Sequence, residues 1–259
     1  MTSTRAPVIF FGHGNPMYAI EQNRFTDAWS ALRPVLVDLN GLVMVSAHWY
    51  GNGSFVTAMP RPKTIHDFGG FPEELFAVEY PAPGAPELAA RIASLATPEV
   101  IELDQSWGLD HGTWSVLRHA LPDASVPIVQ VSIDATMTPD EHIELGRRLG
   151  ELRDEGFAIA GSGNVVHNLG TMQFRPGAVA YDWAQNFERS VRSAIEQRNL
   201  SALAAPDSLG EGARLSIPTP EHYLPLLPVM GALRNDDAVD IIVDGIDAAA
   251  ISMLSFVAN

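Results

Sequence analysis

Val8-Ile9-Phe10-Phe11-Gly12-His13-Gly14 and Leu42-Val43-Met44-Val45-Ser46-Ala47-His48-Trp49 share one pattern: four apolar residues in a row, then small or polar residues, then a histidine. A short, unbroken apolar run bounded by Gly and polar residues suits a strand buried on both faces, the situation of a parallel sheet with helices on either side. Similar runs are Val100–Leu103, Pro127–Ile133, Phe157–Ala160, Ile241–Val243 and Ala250–Val257. Helical patterns lie between them. Arg24 to Leu39 carries Phe25, Trp29, Leu32, Leu36 and Leu39 at spacings of three and four. Thr138-Pro139-Asp140-Glu141 reads as a capping box with Pro at the first helical position, followed by the stripe Ile143, Leu145, Leu149 and Leu152. Glu87–Leu95, Thr113–Leu121 and Trp183–Gln197 are further helices by the same reading. Alternating strands and helices predict an α/β fold: one domain over residues 1–259, with a largely parallel or mixed central sheet flanked by helices and an antiparallel last pair of strands. Gly51–Pro86 and Ala204–Pro220 read as irregular, and long irregular segments in compact domains are often binding loops.

The composition excludes several function classes. There is no cysteine, so disulfides, thiolate metal sites and cysteine nucleophiles are out. Asp plus Glu number 31 against 16 Lys plus Arg, a net charge of −15 that repels phosphate backbones and argues against nucleic-acid binding. No apolar stretch approaches the ~18 residues of a membrane span, and Met1 to Pro7 has no apolar signal core. A cytoplasmic protein with no membrane partner is the expectation; oligomeric state is not legible.

The chemistry lies with the histidines. His13 and His48 follow equivalent strand runs, so in a parallel sheet both stand at the carboxyl edge, where open α/β sheets bind ligands. Each alone reads equally well as a buried histidine bonded to a loop; two at equivalent strand ends favour a shared site. His222, in Thr219-Pro220-Glu221-His222-Tyr223, is predicted in the first turn of a helix capped by Thr219, where the positive helix end keeps imidazole neutral as a metal ligand must be. Glu221 keeps a two-histidine, one-carboxylate triad open. His167 lies beyond the small-residue turn Gly161-Ser162-Gly163 and reads as a base or a fourth ligand. That turn lacks the Walker pattern, and no G-x-S-x-G elbow is present. His111 precedes the helix expected from Thr113 and reads as a pocket wall or a loop histidine packed on tryptophan. His66 is expected either to contact substrate or to be plainly exposed. His119 and His142 fall in helical patterns and read as solvated or structural. Taken together, the residues point to a nitrogen- and oxygen-ligand metal site in an α/β fold, without naming a reaction.

Six segments, in order, carry a resemblance. They are Phe11–Met17, Ser46–Trp49, His66–Pro72, Asp110–Trp114, Gly161–Asn168 and Thr219–Leu226. Together they resemble the class III extradiol ring-cleavage dioxygenases, and more narrowly the DOPA 4,5-dioxygenase-like branch of the LigB superfamily. The resemblance implies one divalent metal ion held by His13, His48 and His222, with Fe(II) expected for activity and Zn(II) able to bind. It implies an acid–base role or additional ligation for His167, and a place for His111 beside substrate and oxygen. The implied reaction opens the ring of an aromatic diol with O₂. Better-known members of the wider superfamily use two His and one Glu, whereas here His222 stands as third ligand with Glu221 beside it. A zinc hydrolase on the same histidines and a non-enzymatic binding protein of the same fold are the competing readings. Arg61, Lys63 and Arg175 are candidate partners for a substrate carboxylate, or ordinary surface cations.

Overall fold

The central apolar runs, Val8–Phe11, Leu42–Val45, Pro127–Ile133 and Phe157–Ala160, are strands covered on both faces, and their alternating side chains divide the core in two. Val100–Leu103 and Ile241–Val243 fall at edge strands instead and are only partly covered, with Val100 75% and Leu103 50% exposed. Val8 and Phe10, Val43 and Val45, Val129 and Val131, and Ile159 pack on one face of the sheet. Ile9 and Phe11, Leu42 and Met44, Ile128, and Ala158 and Ala160 pack on the other. This period of two within a continuous apolar stretch is what a doubly covered strand requires. A computed structural model describes residues 5–96, 100–175 and 177–259; residues 1–4 of the N-terminal segment read above lie outside them.

The strands are β1 (Val8–Gly12), β2 (Gly41–Gly51), β3 (Ser54–Thr57), β4 (Ile101–Asp104), β5 (Ile128–Asp134), β6 (Phe157–Gly163), β7 (Val239–Val243), β8 (Ile246–Asp247), β9 (Ile251–Ser252) and β10 (Ser255–Ala258). The helices are α1 (Arg24–Ser30), α2 (Arg33–Leu36), α3 (Glu73–Phe76), α4 (Pro86–Leu95), α5 (His111–Ala120), α6 (Pro139–Leu149), α7 (Asp182–Glu196), α8 (Leu200–Ala204), α9 (Ala213–Ser216) and α10 (Leu226–Gly231). Eight strands form one sheet in the order β4-β3-β5-β2-β6-β1-β10-β7, and β8 and β9 form a separate hairpin. The centre, β5-β2-β6-β1, is parallel, and β10 pairs antiparallel with both β1 and β7, as expected for the last strands. Helices α4, α6, α7, α8 and α10 supply the first core layer, and α1, α2 and α5 the second. No helix among the described residues is long and apolar enough to cross a membrane.

Several expected elements are drawn differently. The Arg24–Leu39 helix is two pieces, because Pro34 has no N–H to donate to the Ser30 carbonyl. The Ala250–Val257 strand splits into β9 and β10, because serine side chains take over backbone partners: Leu254 N donates to Ser252 Oγ, and Ser255 Oγ donates to the Met253 carbonyl. The irregular Gly51–Pro86 segment holds β3, too short and too closely flanked by Gly and Pro to stand out. Helix α5 begins at His111 rather than Thr113, since Asp110 is its N-cap and accepts from Thr113 N at 3.2 Å. His222 is not in a helix. It lies in a turn, where Tyr223 N and Leu224 N both donate to the Pro220 carbonyl, and α10 starts only after Pro225, which takes the N-cap position. Thr219 caps nothing and instead donates to Glu221 Oε1 at 2.7 Å. The capping box at Thr138 and Glu141 is present as read.

Candidate active site

Strand register brings the site together. In β6, Ser162 pairs with Phe11 of β1 on one side and Ser46 of β2 on the other, and Gly163 pairs with Gly12. The carboxyl ends of three adjacent parallel strands therefore share one edge. His13 leaves β1 there, with its N–H on the Gly163 carbonyl at 3.2 Å. His48 lies inside β2 rather than past its end, within the register shift between Val45 and Tyr50. Such irregularities re-aim side chains next to sites. The His222 turn reaches the same edge because Gly163 has no side chain: a Cβ there would lie 2.2 Å from the His222 carbonyl, and Asn164 N donates to that carbonyl at 2.8 Å.

His13, His48 and His222 each offer a ring nitrogen, and these atoms lie within 4.8 Å of one another. Their Nδ1 atoms are all engaged. Ser162 Oγ donates to the Gly112 carbonyl, so it accepts from His13 Nδ1–H at 3.0 Å. His48 Nδ1 meets Asp67 Oδ2 at 3.1 Å, and His222 Nδ1 meets Glu221 Oε1 at 3.3 Å. Each partner holds the ring proton on Nδ1 and leaves Nε2 as a free lone pair, the arrangement that orients metal-ligating histidines. His13 Nε2 and His48 Nε2 stand 3.2 Å apart. Two nitrogens about 2.1 Å from one ion are separated by about 3.0–3.4 Å for angles between octahedral and tetrahedral, so the donor set fits a divalent ion.

Electrostatics favour the neutral form for two of the three rings. Burial, and then the neighbouring histidines, hold His13 and His222 well below the ordinary imidazole range, so both stay neutral. For His48 burial pulls down, but the Asp67 hydrogen bond and the charges of Asp110 and Asp67 outweigh it and the net shift is upward. Asp67 accepts from His48 Nδ1, from His111 Nδ1 at 2.9 Å and from His111 N at 2.9 Å. Burial opposes its charge, yet these donors hold its carboxyl below the usual carboxylate range.

His167 stacks face to face on His222, with ring centroids 3.5 Å apart and planes 5° apart, and groups with Glu221 and His222 rather than with the other trio. Burial first, then His48, pushes it down to about 4, which leaves a neutral imidazole. His111 lies on the far side of His48, ring centroids 3.9 Å apart. All five rings line one cavity of about 320 Å³, with apolar walls from Phe71, Leu169, Met172, Phe174 and Ile251. His66 does not line it. Its Nε2 donates to the Val78 carbonyl at 2.9 Å and its ring packs on Phe68 and Trp114, so it braces the loop carrying Asp67. His119 donates to the Tyr18 carbonyl and His142 is buried in α6, both away from the cavity. Arg61, Lys63 and Arg175 do not line the cavity either.

Asp67, Ser162 and Asp247 carry no role legible from the sequence alone. Asp67 had a faint signal, lying beside His66 in an aromatic loop, and Ser162 was legible only as part of a small-residue turn. Asp247, which lines the cavity from the β8–β9 hairpin, had none.

Comparisons with known proteins show the family. Residues 7–254 match the family described as the catalytic LigB subunit of aromatic ring-opening dioxygenase. A 4,5-DOPA dioxygenase extradiol of Escherichia coli K12 is 46% identical, over 98% of this chain and 95% of its own length. The protein of that name from Beta vulgaris is 31% identical, over 95% and 94%. A crystal structure of an uncharacterized Escherichia coli K12 protein superposes with a TM-score of 0.86 at 42% identity, covering 98% of this chain and 99% of that one. The histidine-lined cavity at the sheet edge thus sits in a chain that belongs to the LigB family of extradiol ring-opening dioxygenases.

Proposed function

We propose that this enzyme opens the ring of a DOPA-like catechol beside its two hydroxyls, using O₂ and one divalent ion held by His13, His48 and His222. The observation that carries the proposal is the matched set of Nδ1 partners, Ser162, Asp67 and Glu221, which leaves three Nε2 lone pairs on one cavity wall. When bound, a redox-active ion such as Fe(II) would supply Lewis acidity and the electron transfer that O₂ needs to react with an electron-rich ring. The chain's own residues do the rest. His167, neutral and facing the cavity, accepts a hydroxyl proton as the catechol binds and returns it to the product. His111, fixed by Asp67 through Nδ1, turns Nε2 toward the cavity as a proton-relay partner beside the substrate. The apolar walls hold the ring and exclude water. In the overall reaction one ring C–C bond next to the diol breaks, both atoms of O₂ enter the product, and a carboxylic acid and an aldehyde form.

Family membership favours this reading over a hydrolase. Zn(II) suits the same imidazoles but lacks redox chemistry, so zinc-loaded protein should consume no O₂. The test is anaerobic loading with Fe(II) and a catechol, followed by O₂. A yellow product formed with one O₂ lost per catechol supports the proposal. Colour without O₂ loss, or no change across a panel of catechols, contradicts it.

A further inference from the structure

We infer that Asp247 makes the site selective for catechols whose side chain carries an ammonium group. The inference rests on the ring-opening reading for the identity of the ring, and on the cavity itself for the side chain. Among the described residues no Lys or Arg lines that cavity, and apart from the histidines the charged side chain on its wall is Asp247. Tyr18 donates its hydroxyl to Asp247 Oδ2 at 2.6 Å, and Oδ1 takes no hydrogen bond found among the described residues. Burial and the Asp247 bond push the Tyr18 phenol upward, so it remains a donor. None of the ion pairs found among the described residues uses Asp247.

The backbone holds this carboxylate firmly. Asp247 ends β8, and the hairpin turn that follows places Ala248 and Ala249 at φ 45° and 67°, left-handed values that cost a non-glycine residue energy. That turn is pinned by Gln173 N on the Ala248 carbonyl and Tyr181 N on the Ala249 carbonyl. At the hairpin's base, Glu188 accepts from both Gly245 N and Ser252 Oγ. A fixed carboxylate attracts an ammonium by a charge-assisted hydrogen bond and repels a carboxylate. Arg175 lines an adjoining hollow that shares Asn15, Phe174 and Asp247 with the site, and does not line the site itself.

The test compares anaerobic binding of dopamine, 4-methylcatechol and 3-(3,4-dihydroxyphenyl)propanoate to the metal-loaded enzyme and to Asp247→Asn. The wild type should bind dopamine about tenfold to a hundredfold tighter than 4-methylcatechol, the range for hydrogen bonds to charged groups, and the propanoate more weakly than either. Asp247→Asn should abolish the preference for dopamine over 4-methylcatechol, and Asp247→Glu should restore part of it. Equal wild-type affinity for all three, or an equal loss for all three in Asp247→Asn, overturns the inference. Oxygen uptake recorded in parallel separates the two readings. Ammonium selectivity without O₂ consumption retains Asp247 and removes the ring-opening function; O₂ consumption without selectivity does the reverse.

Discussion

Replacing Asp67 by Asn removes one charge and little volume, yet it should loosen the metal. The carboxylate serves three donors: the Nδ1–H groups of His48 and His111 on Oδ2, and the His111 backbone N–H on Oδ1. An amide accepts on its oxygen only. If its NH₂ faces the rings, both Nδ1 atoms must become acceptors and their protons move to Nε2, which blocks His48 as a ligand. If its NH₂ faces His111 N–H instead, two donors collide at the first residue of α5. Either outcome loses the partner that orients a ligand, and such losses typically cost about 10- to 100-fold in metal affinity, or about 1.4–2.7 kcal/mol. Competition between protein and chelator for Zn(II) measures the affinity without redox interference, and a thermal melt reports whether the fold survives. An Asp67→Asn protein that folds and holds zinc as tightly as the wild type would refute the tautomer argument.

His167→Ala should keep its metal and lose about 10²–10⁴ in turnover, the usual contribution of a positioned base; unchanged O₂ uptake would remove His167 from the mechanism. Gly163→Ala puts a methyl group 2.2 Å from the His222 carbonyl, so the His222 turn must move. Metal content should fall, with about 1–3 kcal/mol of lost stability; full metal occupancy by elemental analysis would show that the turn can give way freely. Asp237 accepts both guanidinium nitrogens of Arg153, at 2.6 and 2.9 Å, and both side chains are wholly buried. Asp237→Ala should cost about 3–5 kcal/mol by leaving that charge unpaired, readable in denaturant unfolding. Burial opposes the Asp237 charge, but Arg153 and the Arg234 N–H hold its carboxyl below the ordinary range. A depressed folded value means the stabilisation is present above the unfolded carboxylate pKa of about 4 and is lost as pH falls through the folded value. The stability gap between wild type and Asp237→Ala should therefore narrow on acidification; a gap that widens would reverse the assignment.

The strands that carry the site were legible because a doubly buried strand leaves an unmistakable apolar run, and the capping box at Thr138 because its side-chain chemistry is local. His13 and His48 could be placed on one edge from those runs alone. What escaped the sequence depended on contacts between distant segments. Thr219-Pro220-Glu221 imitates a helix start ahead of His222, and only Pro225 together with the close passage over Gly163 makes it a turn. Asp67 and Ser162 act through partners 44 and 149 residues away, a separation no periodicity encodes. His66, an equally conspicuous histidine, is taken up by the Val78 carbonyl. Asp247 enters the cavity on a two-residue strand whose turn is held by the loop that packs over it.

The central claim is that His13, His48 and His222 hold the ion at which a catechol is opened. X-ray absorption of the anaerobic Fe(II)-loaded protein, recorded with and without a catechol, addresses it directly. The expected spectrum shows imidazole scattering from three histidine nitrogens at about 2.1 Å, and a change in the remaining oxygen shell when the catechol is added. A spectrum without histidine ligation, or one that the catechol leaves untouched, would contradict it.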